Sequence, residues 1–176
     1  MNLGSFIAIL LGIVFSVDLL AAGGRPASLS CPPPPSALTV KFQKDQVEIF
    51  SPDLKSKIQL EVELADTPDQ QHLGLMFRPV VPSGAGMLFR YVAPTRMAIW
   101  MKNTCASLDL LFANSNGTIQ KIVPDLIPFS LTAHESPGLI SSVLEIGAGE
   151  AARIGIQPGW ILQLKTKSET HSTRSK

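Results

Sequence analysis

Six residues of this chain have side chains whose types and placement could hold a ligand: Arg78, Trp100, Lys102, Asn103, Thr104 and Asp109. Arg78 carries a planar fork able to clamp a carboxylate or phosphate. The preferred reading for it is structural, an ion pair to Asp109 or Glu145 that fixes a helix on a sheet. Trp100 and Lys102 alternate along a run that reads as a strand. An aromatic plate and a cation would then share one face, which suits a sugar, a peptide or an anionic ligand. Asn103 and Thr104 follow directly, and could touch the same ligand or satisfy backbone groups in a turn. Asp109 interrupts an apolar run, and strand alternation turns it away from Leu108 and Leu110 onto the face of Leu111. If buried, it needs a partner, and Lys102 or Arg78 are the candidates. Asp109 and Glu145 together could do acid–base work on a glycoside, although no spacing rule relates carboxylates on separate strands.

Other chemistry is poorly supported. Met76, Met87, Met97 and Met101 lie in apolar, periodic segments and read as core filler rather than ligands for a soft metal. His72, His134 and His171 are scattered without ligand spacing, so no metal and no cofactor is expected. Cys31 lies in a proline-rich stretch and Cys105 follows the Trp100 segment. Two unpaired thiols are the default expectation, with a disulfide the alternative in an oxidising compartment.

The elements that must position these residues are mostly strands. Leu38–Phe42 and Ile58–Leu64 alternate with period two, which predicts half-buried strands. Thr67-Pro68-Asp69-Gln70 predicts a helix start with Thr67 as N-cap and Gln70 closing a capping box, and Pro79 ends that helix by Arg78. Met87–Val92 and Met97–Lys102 read as strands. Asn116-Gly117 between the apolar runs Leu108–Phe112 and Thr118–Val123 predicts a hairpin. Leu139–Ile146 predicts a further strand, Glu150–Ile154 one helical turn and Trp160–Leu164 the last strand. With no βαβ alternation visible, the expected fold is mostly β (a β-rich α+β class), a barrel-like single domain with one or two short helices.

Around this domain, expected at 37–164, the chain divides by composition. Phe6–Val17 is a twelve-residue apolar run closed by Ala21-Ala22, which predicts a signal peptide over 1–22 and a periplasmic or secreted protein. Contact with a membrane is expected only through that leader if it stays uncleaved. Residues 23–36 form a Pro/Gly-rich linker. Residues 165–176 form a tail in which Lys165, Lys167, Arg174 and Lys176 oppose only Glu169. Gly23–Leu164 holds 11 Lys and Arg against 12 Asp and Glu, a balance that gives no basic footprint for nucleic acid.

Four phrases, Gly74-Leu75-Met76-Phe77-Arg78, Gly86-Met87-Leu88-Phe89, Trp100-Met101-Lys102-Asn103-Thr104 and Leu108-Asp109-Leu110-Leu111-Phe112, add a family resemblance. With Asn116-Gly117, Val143-Leu144-Glu145, Gly147-Ala148-Gly149 and Gly155, they resemble the domain of unknown function 192 family of small, often exported prokaryotic proteins. The resemblance spans roughly Val62 to Leu164. It implies a compact, mainly β domain with short helices, and no reaction. Members commonly carry Gly-Asp in the last turn, where this chain has Gly159-Trp160. The functional expectation is a ligand-binding or accessory protein of the cell envelope. An envelope hydrolase using Asp109 or Glu145, and a structural interaction module, are the alternatives.

Overall fold

The computed structural model describes residues 30–35 and 39–165; the signal-peptide segment, most of the linker and nearly all of the basic tail lie outside the described residues. The described residues form nine strands and two short helices. In order these are β1 (Gln43–Phe50), β2 (Lys57–Ala65), α1 (Pro68–Leu73), β3 (Ala85–Thr95), β4 (Ala98–Ile99) and β5 (Leu108–Ala113), then β6 (Ile119–Leu126), β7 (His134–Glu135), β8 (Ile140–Gly147), α2 (Glu150–Arg153) and β9 (Ile161–Leu164). Seven of the strands make one sheet in the order β6-β5-β8-β3-β2-β1-β9, and β4 pairs with β7 apart from it.

The sheet is not closed into a barrel, but its outer strands approach each other. Thr118 bridges Ile161, and the Gly117 carbonyl accepts from Leu162 N–H at 2.8 Å. Gly117 makes that approach possible. Its φ of +83° suits the hairpin turn, and a Cβ there would stand 2.3 Å from the Leu162 oxygen.

Local signals set the first helix as expected. Thr67 caps α1 by accepting from Gln70 N–H, and the Gln70 side chain accepts in return from the Thr67 backbone. The helix stops at Leu73, earlier than Pro79 requires, because Gly74 leaves helical geometry with a φ of 49°. The strands flanking α1, β2 and β3, are parallel neighbours, so one βαβ crossover exists where none was expected.

Two strands differ from expectation. No strand covers 39–42; β1 begins at Gln43 and pairs with β2 through Phe50, and Val47 and Ile49 are its buried residues. Only Ala98–Ile99 of the Met97–Lys102 run is a strand. Met101 turns into the core, and Asn103 takes a φ of 57° in the bend that follows.

The sheet carries a core on each face. One face holds Val47, Ile49, Leu60, Val62, Leu64, Leu88, Leu111, Leu144, Ile146 and, from α2, Ala151. The other holds Ala65, Leu75, Met87, Phe89, Met101, Leu108, Leu110, Phe112 and Val143, packed beneath the segments that follow α1 and β3. A disulfide joins Cys31 to Cys105 with 5.5 Å between their Cα atoms, which corrects the expectation of two unpaired thiols. It anchors the proline-rich stretch beside the bend at Lys102–Thr104. Proximity in the fold, invisible in a separation of 74 residues, decides the pairing.

Candidate functional site

The register of β8 against its neighbours sends two carboxylates to opposite faces. Asp109 pairs with Ile146 across β5 and β8, whereas Glu145 pairs with Leu110 on one side and Met87 on the other. Directly paired residues point the same way and the next pair points the opposite way. Asp109 therefore faces the core that contains α2, and Glu145 faces the core beneath α1.

Asp109 is fully buried and occupied. Its Oδ1 accepts from Asp125 N–H and Gly149 N–H, each at 3.0 Å, and Oδ2 accepts from Ala151 N–H at 2.9 Å. Two of these donors open α2, whose first N–H groups have no partner within the helix. Asp109 is thus the cap of α2, supplied from a neighbouring strand, and its partners are backbone amides rather than Lys102 or Arg78. The Asp109/Glu145 acid–base pair is excluded by the register.

Glu145 is buried with 6% exposure and lines a cavity of about 190 Å³ between α1, β3 and the 97–104 segment. Burial alone pushes its carboxyl up to about 8, because no described residue offers it a hydrogen bond or a countercharge. Its negative charge, together with burial as the larger cause, raises the Tyr91 phenol well above its usual range. Phe89, Tyr91, Met76, Met97 and Trp100 supply its aromatic and thioether wall, and Thr104 adds a buried hydroxyl. Trp100 is 53% exposed, so it stands at the rim with an open face. His72, exposed on α1, is the sole basic side chain among the lining residues.

The six residues picked from sequence do not meet on one surface. Trp100 and Thr104 line the Glu145 cavity. Asn103 stands beside it, its amide 3.8 Å from the Met76 sulfur and its carbonyl accepting from Phe77 N–H at 2.9 Å. Lys102 is exposed and absent from that lining; the strand ends at Ile99, so strand alternation does not extend to Trp100 and Lys102. Arg78 lines a different hollow of about 300 Å³ with Lys44, Glu61 and Glu63. It pairs with Glu63, with its guanidinium 5.5 Å from the Phe42 ring centroid, which replaces the expected pairing with Asp109 or Glu145. That hollow is larger, but Glu63 is bound to Arg78 and Glu61 to Gln46, so its acids are already engaged.

A third buried acid, Glu150, is also engaged. The Arg153 fork, Gly84 N–H and the Ser83 hydroxyl hold it, and chiefly the Arg153 contact brings its carboxyl down to about 2. Sequence reading missed Tyr91, Met76 and Met97 as cavity residues and placed Glu145 second to Asp109. The available signal was an acid amid the apolar residues of Val143-Leu144-Glu145-Ile146. Among the described residues no group of His, Cys, Asp and Glu could hold a metal ion, and no helix is long and apolar enough to cross a membrane.

The model of the DUF192 family, described as Uncharacterized ACR, matches residues 51–164. A crystal structure from Sinorhizobium meliloti 1021, described only as a candidate transcription regulator, is 36% identical over 71% of this chain and 96% of that one, with a TM-score of 0.68. A protein of unknown function from Novosphingobium aromaticivorans DSM 12444 is 30% identical over 80% of this chain and 99% of that one, with a TM-score of 0.67. Among curated proteins, none matches the chain.

Proposed function

The chain belongs to the DUF192 family, and since that family is uncharacterized, we propose a function from the geometry of this member: an exported accessory protein that binds a small molecule in the Glu145 cavity. The observation that carries this reading is a buried glutamate on the wall of a cavity whose carboxyl has no partner among the described residues. Leaving a buried acid unpaired costs stability, and such groups concentrate where a ligand or reaction uses them. The open face of Trp100 at the rim adds a surface on which an apolar or cationic group can rest.

Three further points support parts of the reading. The Cys31–Cys105 disulfide favours an oxidising compartment, in line with the apolar leader of the sequence. Among the described residues Glu145 is the one acid lining the cavity, which favours binding over an envelope hydrolase built on two carboxylates. The balanced charge of Gly23–Leu164 gives no basis for carrying DNA regulation over from the Sinorhizobium relative. The volume, equal to about six waters of liquid, suits a small molecule better than a peptide or an extended sugar chain.

A thermal-shift screen of the disulfide-intact protein tests this reading. A ligand bound at this site raises the melting temperature of wild type and loses that effect in Trp100→Ala and Glu145→Gln. Stabilisation that is equal in all three proteins would place the site elsewhere.

A further inference from the structure

Taking the Glu145 cavity as a binding site, we propose that its ligand is a small organic cation, a quaternary or primary ammonium compound whose charged head sits between the Glu145 carboxylate and the Trp100 ring. Three observations on the lining select this class. The first is Glu145 itself, a residue more than nine-tenths buried whose carboxyl opens on the cavity and has no cationic partner among the described residues. The second is the wall: Phe89, Tyr91 and Trp100 present aromatic surface and Met76 and Met97 present polarisable thioethers, the kind of surroundings that hold ammonium heads through cation–π contact. The third is what the lining lacks. Among the described residues neither lysine nor arginine contributes to it, so an anionic ligand would meet Glu145 with no compensating charge from them except His72 at the exposed rim.

The wall's remaining polar groups fit the same ligand. Gln71 is occupied, donating to the Ala65 and Arg90 carbonyls at 3.2 and 2.8 Å. The Thr104 hydroxyl has only a long 3.4 Å contact to the Lys102 carbonyl, leaving it able to meet a hydroxyl on the ligand's tail. The titratable groups facing Glu145 are Tyr91 from β3 and His72 from α1; the 97–104 segment adds Trp100 and Thr104 but no charge to the lining. Met87 and Leu110 flank Glu145 on the adjacent strands. A cation entering this site ionises Glu145 and expels its proton to solvent. No covalent bond forms or breaks.

Choline and its uncharged isostere 3,3-dimethylbutan-1-ol separate charge from shape, with tetramethylammonium and phenethylamine as further probes. Calorimetry on the full disulfide-bonded protein should show choline binding at least tenfold more tightly than the alcohol. Repeating the titration in buffers of different ionisation enthalpy should show close to one proton released at pH 7 by wild type and none by Glu145→Gln. Because choline's charge is independent of pH, its affinity should fall about tenfold per pH unit below about 8 in wild type and stay flat in the variant. Melting temperature checks that the variant is folded. If the alcohol binds as well as choline and both need Trp100, the cation assignment fails while the binding site stands. Absence of saturable binding by all three cations at millimolar concentration also overturns the cation assignment. Choline bound equally by wild type and Trp100→Ala would overturn the site itself.

Discussion

Asp109 and Glu145 occupy neighbouring strands one register position apart and are both buried, yet their surroundings are opposites. Asp109 accepts three backbone N–H groups and joins β5 to α2 and to the Asp125 turn. Glu145 has no such partner among the described residues and opens on a cavity. A buried charge with well-placed donors is an architectural element, because removing it orphans the donors. A buried acid without donors is a standing cost to the fold, so its presence calls for a different account. The pair shows that burial alone does not mark a functional carboxylate; the number of its partners does.

The largest expected effect comes from breaking the satisfied member. Asp109→Ala leaves Asp125 N–H, Gly149 N–H and Ala151 N–H without their acceptor and should cost about 3–5 kcal/mol in urea unfolding. Glu145→Leu should leave stability unchanged or raise it when compared at pH 9, where wild-type Glu145 is charged. Equal losses in the two variants would erase the contrast between the two faces.

The next effect sharpens the contrast through pH. Folding raises the Glu145 carboxyl from 4.5 to about 8, so across that window the folded state keeps a proton that the unfolded chain has released. Stability therefore declines as pH rises from about 4.5 to about 8, by up to about 1.4 kcal/mol per pH unit, and levels off beyond. Glu145→Gln removes that contribution. Denaturation curves at pH 5, 6.5, 8 and 9.5 check it, and identical slopes for wild type and variant would refute an unpaired Glu145.

How much of this contrast the sequence holds depends on the range of the interactions behind it. The Thr67–Gln70 capping box and the Asn116-Gly117 hairpin are set by neighbours in the chain, and both are present in the fold. The placement of Asp109 on the face of Leu111 also follows from alternation alone. What alternation omits is the partner. The β3–β8 and β5–β8 registers, contacts between segments distant in sequence, decide that Glu145 meets Met87 and Leu110. The parallel β2–β3 pairing and the Cys31–Cys105 disulfide are long-range in the same way. Lys102 failed as a companion to Trp100 for a local reason: the strand stops at Ile99, an end that period-two counting does not anticipate.

Glu150 supplies a smaller, opposite test. Its carboxyl is held at about 2, against an ordinary value of 4.5, chiefly by Arg153 with help from Gly84 N–H and Ser83. A lowered acid stabilises the fold above its unfolded value, and that contribution disappears as pH falls from about 4.5 toward about 2. Arg153 is largely exposed, so solvent screens the pair and the effect is modest. Arg153→Ala should reduce stability at neutral pH and flatten its decline through that acid window, while leaving the Glu145 slope above pH 4.5 intact. A change in the higher window would mean the two acids are coupled.

The smallest effect on stability should come from Trp100→Ala, and its smallness is informative. Trp100 is 53% exposed at the cavity rim, whereas Met101 beside it is 1% exposed and belongs to the core. Truncating Trp100 removes an aromatic face that the fold uses only in part, so the loss should stay near 1 kcal/mol. Met101→Ala should instead cost about 2–4 kcal/mol by opening a cavity beneath the same segment. If the two substitutions cost the same, the indole is a structural prop and the rim has no free aromatic surface. If Trp100→Ala leaves the fold and the Glu145-dependent pH slope intact while abolishing ligand-induced stabilisation, the partnerless carboxyl and the exposed ring are one site, built on the face of the sheet that Asp109 does not touch.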